Sequence, residues 1–293
     1  MDWDDLRLFL AVARSGQILA AARRLDLNHA TVARRLSGLE QALKVKLVDR
    51  RTTGCLLTEA GERLLARAER IEAELIAASA EIGGADVAVS GTVRIGAPDG
   101  FGVAFLAPRL GALSERHPDL TLQLVPVPRA VSLSRREADI AITVERPEHG
   151  RLVARKLVDY ELALYASKDY LARAGVPEAP TDLRDHALVG YVEDLVYAAA
   201  LAYAPEIDRS FVPRFEIASA LGQTEAVRAG AGIGILHSFI ARADPNLVQV
   251  LPERTIRRAY WLVVHESVRD LRRVRTVADF IAEQVERERA AFG

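Results

Sequence analysis

The sequence has 293 residues, half of them hydrophobic and 27% charged, and 39 Lys+Arg against 40 Asp+Glu leave a formal net charge of -1. This composition excludes a disordered or fibrous chain, and the length suits two domains or one large one with a substantial core. An acidic start (MDWDDLRLF) without an apolar leader, a longest apolar run of ten residues at 195–204 and a lone cysteine, Cys55, argue against a secretion signal, a membrane-spanning helix and an internal disulfide, and predict a soluble cytoplasmic protein.

In chain order, Asp4–Arg14 places Leu6, Phe9, Leu10 and Ala13 on one helical face. Ser15-Gly16 breaks that helix. Gln17–Leu25 is a second, Ala-rich helix ending near Asp26-Leu27, and Asn28 is a good N-cap for a third that runs to about Leu43. The third helix keeps an apolar stripe (Val32, Leu36, Leu39) and carries Asn28, His29, Ala30, Thr31, Arg34 and Arg35 on its other side. VDRRTTGCLL then reads as a β-hairpin turning at Thr53-Gly54. Thr58 can cap a long helix with Glu59 and Glu62 in its first turn, where the helix dipole favours acids. Leu64, Ala68, Ile71, Leu75, Ala78 and Ile82 form a heptad seam along it, ending at Gly83-Gly84. Such a seam pairs with a copy of itself or packs on its own chain.

After AVSG at 88–91 the rhythm changes to alternating strands and helices. GTVRIGA is a strand, Val103–Arg116 a helix, and DLTLQLVPV and ADIAITV are strands with a helical stretch between them. ELALYAS, RFEIAS, Thr224–Ala229, GIGIL and AYWLVVH follow, closing on a helix at Leu271–Arg289. The alternation predicts an α/β fold with a mostly parallel sheet, and changes of rhythm near 160 and 265 suggest two lobes crossed twice by the chain.

The near-neutral total hides an asymmetry. Residues 1–58 hold ten Lys+Arg against six Asp+Glu, and 23–53 hold eight against three. A basic excess in a small module is the footprint of a phosphate-backbone binder, although a solvated basic face gives the same count. The setting narrows this: two short helices across a tight turn, the second with a polar outer face, make a helix-turn-helix whose second helix enters the major groove. Small and hydrogen-bonding residues at its N-terminus allow close approach, and Arg reads guanine or clamps phosphate.

Other signals are weaker. Gly230-Ala-Gly232-Ile-Gly234 precedes a strand and reads as a helix-to-strand turn, not a dinucleotide loop. No His spacing suits a metal, no nucleophile elbow or phosphate-binding Lys loop is present, and Cys55 reads as a packing residue. No cofactor and no enzymatic activity are expected. A solute-binding protein without DNA contacts is the rival reading, with residues from 89 onward as its working part.

The run FLAVARSGQILAAARRLDLNHATVARRLSGLEQALKVKLVDRRTTGCLLTEAGERLL resembles the N-terminal domain of LysR-type transcriptional regulators. The resemblance is carried by Phe9, Ala13, Ser15-Gly16, Ala20-Ala21, Leu25, Thr31, Val32, Arg34, Leu39-Glu40, Leu43, Val45, Leu47, Arg50 and Leu57-Thr58-Glu59-Ala60-Gly61. GTVRIG, ERHPDLTLQL, READIAI and the stretch from Val227 to Leu236 extend it over essentially the whole chain. Departures are Gln17-Ile18 in place of Ser and an aromatic, Asn28 and Ala33 in place of Ser, and Val48 in place of Phe.

The resemblance implies a winged helix-turn-helix at 1–57, a linker and dimerisation helix at 58–88, and at 89–293 a two-lobed α/β effector domain like the periplasmic solute-binding proteins. Lobe I would be about 89–162 plus 267–293, and lobe II about 163–266. It implies groove contacts from Asn28, His29, Ala30, Thr31 and Arg34, and phosphate contacts from Arg35, Lys46, Arg50, Arg51 and Thr53. Partners would be double-stranded DNA with a roughly palindromic operator, a second copy or more of the chain, and a small effector between the lobes. By analogy the effector would meet Pro98, Asp99, Gly100, Phe101, Pro128, Arg129, Thr143, Glu145, Tyr191, Ser219 and His237. Arg129, His237 and the N–H groups near Gly100–Val103 suit an anion, against which an inward Asp99 would argue.

Overall fold

A computed structural model describes residues 2–51, 54–82, 89–127, 133, 138–147, 150–208 and 211–293. The chain divides into two compact units, Met1–Val87 with Ser267–Leu271, and Ala88–Glu266 with Arg272–Gly293.

In the first unit, α1 (Trp3–Ser15) starts at a reciprocal cap: the Asp5 amide donates to the Asp2 carboxylate at 2.8 Å, and Asp5 accepts from the Asp2 amide. It stops at Gly16, whose φ of 65° is the left-handed conformation that glycine adopts without a Cβ penalty. Next come α2 (Ile18–Leu25), α3 (His29–Leu43), β1 (Val48–Arg51), β2 (Gly54–Leu57) and α4 (Glu59–Ile82). Phe9, Val12, Ala21, Val32, Leu36, Leu39, Leu47 and Ala68 meet in one core. Burial of each large apolar side chain here contributes roughly 1.5–3 kcal/mol. Thus the apolar stripe of α3 is spent on α1 and α2, and its opposite face stays in solvent.

The wing is tied to both neighbours. β1 and β2 pair antiparallel from Val48↔Leu57 to Arg51↔Gly54, with residues 52–53, and so Thr53, outside the described ones. The Cys55 amide donates to the Gly16 carbonyl at 2.7 Å. Thr58 caps α4 through the Gly61 amide at 3.0 Å and donates its own hydroxyl to the Lys46 carbonyl at 2.7 Å. Arg14 of α1 reaches Glu69 and Glu72 of α4, the former a buried carboxylate. The α4 seam is buried at Ala68, while Ile71 and Leu75 are 43% and 44% exposed. The Ile82 side chain and Gly83-Gly84 lie outside the described residues.

The second unit is built on one nine-stranded sheet. β3 (Gly91–Ala97) leads through a π-helical segment, Gly100–Leu106, into α5 (Ala107–Arg116), then β4 (Leu120–Pro126) and β5 (Ile140–Thr143). β6 (Leu152–Ser167) precedes α6 (Lys168–Ala174), β7 (Leu188–Gly190), α7 (Ala204–Ile207), β8 (Phe215–Glu216) and α8 (Ala220–Arg228). β9 (Ile233–His237), α9 (Ser238–Ala241), β10 (Leu247–Gln249), β11 (Thr255–His265), α10 (Glu266–Arg269) and α11 (Arg272–Arg287) complete the chain.

Strand order is β4-β3-β5-β11-β6-β9-β7-β8, with β10 also on β6. β3 pairs parallel with β4 and β5, and β7 pairs parallel with β8 and β9, so each end of the sheet is a parallel group of three. The two long strands between them, β6 and β11, run antiparallel from Thr255↔Ala163 to His265↔Leu152, with a bulge at Tyr260/Trp261. The sheet is therefore mixed at its centre, where the alternation of strands and helices predicts mostly parallel pairing. The expected strand ELALYAS is only the second half of β6. The expected helix at Val103–Arg116 begins earlier, as a π-helical segment that the Gly102 amide anchors to the Pro98 carbonyl at 2.7 Å and the Ala107 amide closes on the Gly102 carbonyl. None of the described helices is long and apolar enough to cross a membrane.

Candidate nucleic-acid interface and effector cavity

Helix α3 starts at Asn28, whose side chain accepts from the Ala30 amide at 2.8 Å. Asn28, His29, Ala30 and Arg34 are exposed and Thr31 is half-buried, so the first turns present a polar, low-relief surface. Among the described residues, none pairs with the guanidinium of Arg34, nor with that of Arg51 on the wing.

The other cations of this face have internal partners. Arg35 donates through Nε and Nη2 to Asp5 at 3.1 and 2.8 Å and lies 3.4 Å from Asp2. The hydrogen bond to Asp5, aided by the charges of Asp5, Asp2 and Asp4, holds the Arg35 pKa above its ordinary value despite partial desolvation. Arg35 thus fastens α3 to the start of α1. Arg50 folds back onto α3, donating to the Ser37 hydroxyl at 2.9 Å and the Ala33 carbonyl at 3.4 Å. Lys46 donates to Glu40 at 2.8 Å with its side chain 74% exposed. Glu40 is buried, and one of its oxygens accepts the amides of Leu47 and Val48 at 2.9 and 3.2 Å. Burial raises the Glu40 pKa, but Lys46 and these amides outweigh it and the net shift is downward. The carboxylate staples the end of α3 to the start of the wing.

In the second unit, Pro98, Asp99, Gly100, Val144, Tyr191, Tyr197, Leu201, Tyr203, Ala220, His237 and Tyr260 line a small, partly open cavity of about 20 Å³. One Asp99 oxygen accepts from the Ser219 hydroxyl at 2.6 Å and the Leu221 amide at 3.3 Å, so this carboxylate sits at the N-terminus of α8. Ser219 in turn caps α8 through the Gly222 amide at 3.0 Å. His237 stacks on Tyr160, with ring centroids 5.2 Å apart, and Tyr160 stacks on Tyr260 at 4.1 Å. Burial pushes the His237 pKa down to about 4 against the opposing pull of Asp99, so its imidazole is neutral at physiological pH. Burial likewise raises the Tyr191, Tyr197 and Tyr203 hydroxyls, which stay protonated.

Comparison with known families draws both halves together. The family model of the bacterial regulatory helix-turn-helix protein, lysR family, matches residues 3–62, and that of the LysR substrate binding domain matches residues 88–286. The chain belongs to the LysR family of transcriptional regulators. This LysR-type regulator is 29% identical over 288 residues to the transcriptional regulator CrgA of Neisseria meningitidis, covering 96% of each chain. It is 35% identical over 180 residues to DmlR of Escherichia coli, covering 61% of this chain and 59% of DmlR. The solved structure of CrgA aligns over 97% of this chain and 99% of its own with a TM-score of 0.61 at 26% identity. ArgP of Mycobacterium tuberculosis shares the fold, with a TM-score of 0.68 at 22% identity over 97% of each chain.

Of the effector residues expected for a LysR-type regulator, Asp99, Gly100, Tyr191 and His237 line the cavity, together with Pro98. Ser219 is linked to it through Asp99. Phe101 is turned away: it is fully buried among Phe105, Tyr260 and Phe292, with centroids 5.1, 4.6 and 6.2 Å off. Thr143 spends its hydroxyl on the Glu145 carbonyl at 2.6 Å and is not in the lining, where its neighbour Val144 stands. Glu145 holds the Ala200 amide instead of facing the cavity. Pro128 and Arg129 lie outside the described residues. Tyr197, Leu201, Tyr203, Ala220 and Tyr260 were not anticipated; the tyrosines recurring at 191, 197 and 203 were the available signal.

Proposed function

We propose that this regulator is a non-enzymatic, homo-oligomeric protein that reads a roughly palindromic operator with α3 and answers to an effector in the Asp99–His237 cavity. The observation carrying this reading is the division of α3: Val32, Leu36 and Leu39 are buried, and Asn28, His29, Ala30, Thr31 and Arg34 face outward. Arg34 and Arg51 are the cations best available to DNA, and Arg35, Lys46 and Arg50 hold the module together. Lys46 remains largely exposed and can contact phosphate from its place beside Glu40. The exposed Ile71 and Leu75 on the α4 seam supply an apolar edge for a second copy. Two recognition helices related by a two-fold axis then require two half-sites in inverted orientation. An effector alters DNA contacts only by binding one arrangement of the oligomer more tightly than another.

The test is fluorescence anisotropy of the full chain on DNA from upstream of its gene, over a range of salt. Specific binding is expected to fall steeply with salt, as phosphate contacts release counterions. Arg34→Ala and Thr31→Ala should each weaken operator binding while leaving non-specific binding nearly intact. Wild-type operator affinity in both variants would reject α3 as the reading element.

A further inference from the structure

We infer that the effector cavity selects a small organic ammonium ion, held by the Asp99 carboxylate and the surrounding tyrosines. The inference rests on the reading of this cavity as the effector site and concerns what that site accepts.

The first ground is charge. Among the described residues lining the cavity, Asp99 carries the single formal charge, and no Lys or Arg is present. Arg258, the nearest cation to the Tyr160 and Tyr203 rings, is engaged: Nε donates to the Ala200 carbonyl at 2.9 Å, and Nη2 pairs with Glu206. The second ground is that the helix N-terminus beside the cavity, where a ligand carboxylate would dock, is already used. The N-terminus of α8 is a ready anion site, but the chain fills it with its own anion, Asp99. The turn after β3 spends its Gly102 amide on the Pro98 carbonyl. An incoming carboxylate would meet Asp99 with no compensating cation.

The third ground is what remains unsatisfied. The two printed donors reach the same Asp99 oxygen, Oδ2, and Oδ1 has no donor among the described residues. The Tyr260 and Tyr160 rings stack on each other at 4.1 Å, and Tyr260 lines the cavity. Around Asp99 stand Tyr191, Tyr197 and Tyr203, aromatic side chains of the kind that attract a cation and have no such preference for an anion.

Entry follows from local structure. Tyr197 and Tyr203 belong to the strap from Tyr191 to Asp208, made of short 3-10 turns and α7. Glu145 clasps it at the Ala200 amide, and Arg258 at the Ala200 carbonyl and Glu206. The cavity is partly open to solvent, and a ligand much larger than a water needs this strap to give way.

Calorimetric titration of the full-length protein tests the inference with two matched series. One is choline with its uncharged isostere dimethylbutanol and the anionic dimethylbutanoate. The other is isobutylammonium with isobutanol and isobutyrate. At least one ammonium is expected to bind saturably and to exceed its uncharged partner roughly tenfold or more, the worth of one charge-assisted hydrogen bond. Asp99→Asn should abolish that preference, Tyr197→Leu should weaken the cation, and Tyr197→Phe should retain it; circular dichroism melts check that each variant is folded. Uncharged or anionic probes that bind equally well or better, and that Tyr197→Leu weakens, would overturn the ammonium selectivity and leave the cavity as the effector site. No binding by either ammonium would also overturn it. Binding indifferent to Asp99→Asn and Tyr197→Leu would overturn both readings.

Discussion

Replacing Glu40 separates two accounts of how the wing is fixed to the recognition helix. In Glu40→Ala the buried amides of Leu47 and Val48 lose their acceptor, and an unsatisfied buried donor costs about 1–3 kcal/mol. A loss of about 3 kcal/mol from the first unit is therefore expected, with weaker DNA binding as the wing loosens. In Glu40→Gln the amide oxygen can replace Oε1, which alone takes both N–H groups, and what goes is the pair with the largely exposed Lys46, worth under about 1 kcal/mol. Trp3 packs against the core of this unit, and the other tryptophan, Trp261, lies in the second unit. In a Trp261→Phe background, urea unfolding followed by tryptophan fluorescence reads the first unit alone. Equal losses from the two substitutions would refute the reasoning, because the charge pair and not the accepted amides would then carry the staple. Because the folded Glu40 pKa is lowered, its charged form contributes stability above the ordinary carboxylate range, and that contribution is lost as pH falls through the folded value. Glu40→Gln should flatten this acid limb.

Arg35→Ala should lower the melting midpoint of the first unit modestly and leave the preference for operator over non-specific DNA nearly unchanged, whereas Arg34→Ala should do the reverse; both are read by melting and by anisotropy. Gly61→Ala should destabilise the same unit by about 2 kcal/mol or more, because the added methyl would stand 2.1 Å from the Leu47 carbonyl oxygen. For His237 the folded pKa of about 4 lies below the unfolded 6.5, so the unfolded chain takes up the proton first. Its contribution is complete above pH 6.5 and falls by up to about 1.4 kcal/mol per pH unit between 6.5 and 4. Parallel pH–stability curves for wild type and His237→Gln would refute this.

Much of the first unit is legible because its signals are local. The stripes of α1 and α3 recur every three or four residues, and Gly16, Asn28 and Thr58 mark ends within a turn of where the helices stop and start. The partners of Arg35 were not legible, since Asp5 lies 30 residues away and only packing of α1 on α3 brings them together. The resemblance offers Arg35 to phosphate by its position alone, and position does not show its hold on Asp5. In the second unit, Arg155, Lys156, Asp159 and Glu161 interrupt the apolar pattern of β6, which hides the first half of a sixteen-residue strand. Its status as a strand depends on β11, a hundred residues later. Tyr197 and Tyr203 sit in an Ala-rich stretch that resembles core, and clasps from distant Glu145 and Arg258 turn it toward the cavity. Phe101 shows the converse: adjacency to Asp99 and Gly100 suggests a shared site, but the π-helical turn rotates its ring into the aromatic core.

The capped start of α4 also has a mechanical meaning. Thr58, the close approach of Gly61 to Leu47 and the Arg14 contacts with Glu69 and Glu72 fuse the 24-residue helix to the reading head, so there is no hinge between them. At 1.5 Å per residue it is a rod of roughly 36 Å, and a tilt of about 5° at its far end displaces the head by about 3 Å. That is close to one base-pair step. On the proposed reading of α3, a shift too small to disturb any single contact along the shaft would thereby be magnified into a change of register on the double helix.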